Sequence, residues 1–196
     1  MVIKTSRFGL VELKSEDVLT FNEGLLGFQD LRQFVLLDDP HDDIFAWLQS
    51  CELPSVAFPV LEPEIFGHRY AVSLNRNDLE SLNLRADQTV AYLNIVTIPD
   101  DPTLMTANLK APIIINLEKK CARQCVLQDN NLAIKEPIFT KLQSRVIQNP
   151  QIPIKNQGRQ SELAVKVTEP QTQASRGASE EAKVIHISKG SVDQDL

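Results

Sequence analysis

Residues 108–127, Asn-Leu-Lys-Ala-Pro-Ile-Ile-Ile-Asn-Leu-Glu-Lys-Lys-Cys-Ala-Arg-Gln-Cys-Val-Leu, constrain the fold of this chain more than any other stretch. Pro112 lacks a ladder N–H and fixes φ, so it can open a strand but not sit inside one. Ile113, Ile114 and Ile115 then place β-branched residues on consecutive positions, which leaves no side for water and predicts a strand buried on both faces. Glu118-Lys119-Lys120 supplies a polar turn, and Cys121 to Leu127 reads as a returning strand. The stretch therefore predicts a central hairpin around which the other strands are laid.

The remaining strand signals are short. Val2 to Val11 predicts a hairpin turning near Gly9, and Val18–Phe21, Leu31–Leu37, Tyr70–Leu74 and Val90–Ile98 each read as a strand. Ile44–Ser50 and Leu53–Val60 read as core or edge strands. Asn77 followed by Glu80 outlines a capping box and marks one short helix. Many short strands, frequent prolines and a single short helix predict an all-β fold, a small antiparallel β-barrel-like or sandwich domain.

Composition divides the chain. Every aromatic residue lies at or before Phe139, and the residues after it are rich in Gln, Ser, Lys and Glu. Such a segment buries too little apolar surface to offset the entropy of ordering it. The expected organisation is a folded domain over 1–139 and a mostly disordered C-terminal extension over 140–196. Within that extension, Leu163–Val167 and Val184–Ile187 alternate like strands, each able to add to a sheet edge or to a partner.

Charge divides at the same place. Residues 1–140 carry 12 Lys and Arg against 20 Asp and Glu, a net of −8, whereas the rest carries 8 against 6. An acidic domain is a poor match for a phosphate backbone, which argues against direct nucleic-acid binding, and a good match for a basic protein. The densest run is Asp38-Asp39-Pro40-His41-Asp42-Asp43, whose mutually repelling carboxylates predict a water-exposed loop. This run lacks the Gly and Glu placements of a calcium loop, so no metal is assigned to it. Asp38, Asp39, Asp42 and Asp43 are the candidate contacts for a basic partner.

Asn22-Glu23-Gly24-Leu25-Leu26-Gly27-Phe28 predicts a tight apolar loop in which the glycines take positive φ and Leu25, Leu26 and Phe28 pack inward. The spacing of Gly24 and Gly27 matches no nucleotide fingerprint. The same loop is a candidate apolar partner contact through Leu25, Leu26 and Phe28. The single Trp, Trp47, follows the carboxylate run, and a Trp among carboxylates is also the composition of a sugar site. A carbohydrate- or small-ligand-binding barrel using Trp47 is therefore the alternative reading.

Nothing in the sequence assembles an enzyme or a cofactor site. His41, His68 and His186 stand in unrelated settings, and no nucleophile elbow, zinc box or phosphate loop occurs. Cys51, Cys121 and Cys125 are odd in number and lack a zinc or disulfide spacing, which predicts reduced structural thiols. The N-terminus lacks the apolar core of a signal peptide, and no apolar run reaches the length of a membrane span. These features predict a soluble cytoplasmic protein.

Four segments in order carry a resemblance. They are Gly24–Phe28 with Leu31-Arg32-Gln33-Phe34, Trp47–Ser50, Pro54–Phe58, and Asn108–Asn116 with Arg123-Gln124. Together, over about residues 1–139, they resemble the bacterial flagellar assembly factor FliW family. That resemblance implies a small β-barrel-like fold without enzymatic activity. It also implies two protein partners: flagellin, bound before export, and the carbon storage regulator CsrA, a small basic RNA-binding dimer that represses flagellin mRNA. Members of the family relieve that repression by binding CsrA, and flagellin competes for them.

Overall fold

The computed structural model describes residues 1–72, 74–85, 88–158 and 163–167. Its strands, in chain order, begin with β1 (Val2–Thr5), β2 (Gly9–Glu12), β3 (Val18–Phe21), β4 (Gln33–Asp38), β5 (Ala46–Ser50) and β6 (Ala57–Leu61). They continue with β7 (Val90–Thr97), β8 (Thr106–Ala107), β9 (Ile113–Asn116), β10 (Cys121–Gln124), β11 (Glu136–Pro137) and β12 (Val165–Lys166). Among the described residues they are joined by the α-helices α1 (Arg76–Ser81) and α2 (Phe139–Gln148).

Seven strands close a barrel in the order β3, β4, β5, β6, β7, β9, β10 and back to β3. The neighbours are antiparallel except for β10 and β3, which run parallel with Cys121 opposite Thr20 and Ala122 opposite Phe21. An odd number of strands cannot alternate direction all the way round, so closure requires one parallel seam. Closure also removes the free edges that an open sheet would expose.

The expected hairpin is β9–β10, with Asn116 opposite Cys121 and Ile113 opposite Gln124. Lys120 closes its turn at φ 53°. Ile113, Ile114 and Ile115 are all fully buried, and the two faces differ in what they meet. Ile113 and Ile115 join Phe21, Phe34, Leu48 and Leu93 inside the barrel, whereas Ile114 packs outside it with Leu82 and Cys125. Inside, Phe21 and Phe34 meet edge to face at 5.0 Å, a preferred aromatic geometry.

Helix α1 lies where the capping signal placed a helix, but its cap is Asn75 rather than Asn77. The Asn75 side chain accepts from the Asp78 N–H (3.0 Å), and Asp78 Oδ2 accepts from the Asn75 N–H (3.1 Å). Asp78 has a second role: its Oδ1 lies 2.9 Å from Arg123 Nε, which ties the helix to β10. That tie favours the register two residues upstream of the expected one. Residues 70–74, expected as a strand, form no ladder at their described positions; Tyr70 instead donates its hydroxyl to the Leu109 carbonyl (2.9 Å).

The folded part runs past Phe139. Leu142 of α2 and Ile154 are buried with Phe45, Leu61, Phe66 and Ile138 at one end of the barrel. Arg145 donates to the carbonyls of Ile65 (2.9 Å) and Glu64 (3.0 Å). Composition alone misplaced this boundary because the segment is held by a few apolar residues and by basic side chains that reach back to the domain. Further on, β12 pairs with β4 in parallel, so Leu163–Val167 does add to the sheet as its alternation predicted. The remainder of the expected disordered extension, including Val184–Ile187, lies outside the described residues.

Candidate protein-binding surface

The β4–β5 connection carries the carboxylate run, and the structure separates its four members. Asp38, the last residue of β4, is buried rather than exposed as expected. Its Oδ1 lies 2.5 Å from Lys155 Nζ, and the same ammonium donates to the Asp39 carbonyl. An isolated buried carboxylate is costly, and Lys155 is the neutralising charge that the sequence run itself did not contain.

Asp42 is half-buried and organises the turn. Its Oδ1 accepts from the N–H groups of Ile44 and Phe45 (2.9 Å each), and its Oδ2 accepts from Trp47 Nε1 (3.1 Å). Asp39 is half-buried, accepts from the His41 N–H (2.9 Å) and stands 3.7 Å from Arg7 Nη2. Asp43 is exposed. Of the four, Asp43 and in part Asp39 therefore face outward, while Asp38 and Asp42 hold the chain in place. Local charge repulsion did not reveal this, because the compensating groups come from residues 7, 47 and 155.

Trp47 is enclosed on the same side of the molecule. The Arg7 guanidinium lies 3.7 Å from its ring centroid, and Phe8 meets it edge-on at 6.4 Å. One face of the indole thus lies under a cation and its N–H is bonded to Asp42, so the chain's own groups hold the side chain in place. Among the described residues, no group of three or more His, Cys, Asp or Glu side chains is arranged to hold a metal ion.

The glycine loop has the expected backbone, with Gly24 at φ 67° and Gly27 at φ 83°. A Cβ on Gly24 would stand 2.5 Å from the Phe28 carbonyl oxygen, so only glycine fits there. The side chains depart from the expectation. Leu25 is buried in the barrel, but Leu26 is 53% exposed and Phe28 36% exposed. A two-residue turn closed by the Leu25–Phe28 bridge cannot direct every side chain to one face, so Leu26 at its tip projects outward. The Leu26 N–H is bonded to Gln124 Oε1 (3.0 Å), and Phe28 meets Phe58 edge to face at 5.3 Å. The loop is thus a pinned apolar projection, with Arg123 beneath it bridging Glu23 and Asp78.

Comparison with known proteins bears on this surface. The family model described as FliW protein matches residues 2–138. The chain belongs to the FliW family. The flagellar assembly factor FliW of Bdellovibrio bacteriovorus is 68% identical over 167 residues, covering 85% of this chain and 95% of the relative. The flagellar assembly factor FliW of Thermoanaerobacter pseudethanolicus is 37% identical over 145 residues, 74% of this chain and 97% of that protein. A solved structure, the crystal structure of the flagellar assembly factor FliW, aligns with a TM-score of 0.65 at 35% identity, over 71% of this chain and 97% of its own. The barrel and the glycine loop thus lie within the span matched to FliW. Lys155, which neutralises Asp38, lies beyond residue 138, although any stretch of 167 residues in this chain of 196 includes it. No helix among the described residues is long and apolar enough to cross a membrane.

Proposed function

We propose that this FliW-family chain is a non-enzymatic, cytoplasmic regulator that binds the basic RNA-binding dimer CsrA, lifts its repression of flagellin mRNA, and is withdrawn from it by flagellin. Membership of the family carries this reading. The net charge of −8 over residues 1–140 supports it, since a carboxylate-rich surface speeds and orients the approach of a basic dimer. Asp39 and Asp43 are the outward carboxylates of the acidic turn and the ones we assign to that partner; Leu26 and Phe28 form the apolar contact we assign to flagellin. Competition needs no switch in shape, because each partner need only lower the free concentration of the factor available to the other. The test is binding of labelled CsrA across a salt series for the parent chain and an Asp39→Asn/Asp43→Asn variant. The reading expects affinity to fall with salt and the variant to bind more weakly with a shallower salt dependence. A CsrA affinity that neither salt nor the double substitution alters would remove the acidic turn from the interface.

A further inference from the structure

On the reading that Leu26 and Phe28 contact flagellin, we propose that Arg123 and Gln124 are the positioning residues of that contact. They hold the glycine loop so that the two apolar side chains meet the partner already ordered. Adjacent residues of a strand point to opposite faces, and β10 uses both. Gln124 lies opposite Ile113, on the face that Ala122 turns to the barrel interior. Arg123 lies opposite Ile114, on the outer face where α1 packs. The loop is therefore gripped from both sides of the barrel wall.

Each grip is made by a defined atom. Gln124 Oε1 accepts from the Leu26 N–H (3.0 Å) while Gln124 Nε2 donates to the Ala111 carbonyl (3.2 Å), so both ends of the amide are engaged. Arg123 pairs through Nη1 with Glu23 and through Nε with Asp78 Oδ1 (2.9 Å). Asn22 Nδ2 adds a bond to the Ser81 carbonyl (2.8 Å) at the end of α1. The two β10 side chains stand 98 and 100 positions along the chain from the residues they hold. Other turns are closed locally. Asn116 Oδ1 accepts from the Glu118 (3.1 Å) and Lys119 (3.3 Å) N–H groups in the β9–β10 turn, and Thr5 Oγ1 from the Phe8 N–H (2.8 Å) in the β1–β2 turn.

Burial gives no reason to fix the tip of this loop. Leu25 already anchors it in the barrel at 1% exposure, and the outward Leu26 side chain returns little apolar area for being held. Gly24 and Gly27 leave the backbone between them more freedom than other residues would, and a partner that had to order it would bind more weakly. Fixing the Leu26 backbone beforehand removes that loss from the binding step.

The experiment uses the full chain and purified flagellin. Gln124→Ala removes the bond to Leu26 and leaves the Arg123 pairs in place. It should speed hydrogen exchange at the Leu26 amide and weaken flagellin binding about three- to tenfold, in a chain that circular dichroism shows to be folded. Arg123→Ala should weaken binding as well; Gln124→Ala decides the matter if that variant does not fold. In a Leu26→Ala background, the further loss caused by Gln124→Ala should shrink, because the grip then positions a truncated contact. Unchanged flagellin affinity or unchanged Leu26 exchange in Gln124→Ala, or the same fold loss in both backgrounds, would overturn the positioning role and leave the flagellin contact standing. A parent chain that does not bind flagellin would overturn the contact, and the positioning role with it.

Discussion

Lys155 Nζ lies 2.5 Å from Asp38 Oδ1, and the two side chains are 6% and 11% exposed. This pair fastens the segment after α2 to the end of β4. Removing one member of a buried pair leaves the other charge without compensation, which costs about 3–5 kcal/mol. Lys155→Met is therefore expected to lower the thermal midpoint by roughly 6–20 °C. Adding Asp38→Asn to it should recover much of that loss. An unchanged midpoint for the single variant, measured by circular dichroism, would show that the pair contributes nothing.

Gly24 and Gly27 share a positive φ but differ in surroundings. A Cβ on Gly24 meets the Phe28 carbonyl oxygen at 2.5 Å and Gln29 Cα at 2.7 Å, whereas one on Gly27 meets nothing within 4 Å. Gly27→Ala should cost only the left-handed conformation, about 1–2 kcal/mol. Gly24→Ala adds a backbone clash and should cost clearly more, read from urea midpoints of the two variants side by side.

Asp42 accepts three hydrogen bonds, one of them from the only Trp in the chain. Asp42→Ala is expected to destabilise by about 2 kcal/mol and to shift Trp47 emission, while Asp42→Asn, which retains an acceptor, should lose less. Arg7→Ala should alter the fluorescence with a stability change of at most about 1 kcal/mol, because Arg7 is partly exposed. Identical emission from all three variants would contradict the enclosure described for the indole.

Burial pushes the Tyr70 hydroxyl up from 10.0 to about 12, the Cys125 thiol from 9.0 to about 12 and the Cys51 thiol from 9.0 to about 11. Burial also raises Tyr92. The fold holds the neutral forms, so the unfolded chain releases these protons first as pH rises. Their contribution to stability is complete below pH 9 and is lost progressively as pH climbs through 11 to 12. Phenolate absorbance should stay low in the folded protein at pH 10 and appear together with unfolding. A simple titration centred at pH 10 with the fold intact would refute this.

Different parts of the molecule were legible to different degrees. Three consecutive isoleucines announced a strand buried on both faces, and that inference needs only local sequence. The positive-φ glycines were equally local. Asp38 was not legible, because the charge that makes its burial tolerable stands more than a hundred residues away at Lys155. Helix α2 escaped for a related reason: Leu142 is a small apolar anchor, and Arg145 holds by donating to backbone carbonyls, which composition does not register. The directions of Leu26 and Phe28 depend on the turn geometry that Gly24 and Gly27 create, one level above residue type.

The central claim is tested most directly by calorimetric titration of this chain with CsrA from the same organism, followed by addition of flagellin. The account predicts saturable, salt-sensitive heat with CsrA that flagellin abolishes. No heat with either partner, from a sample whose folding is verified, would contradict it and leave the kinship with FliW one of fold alone.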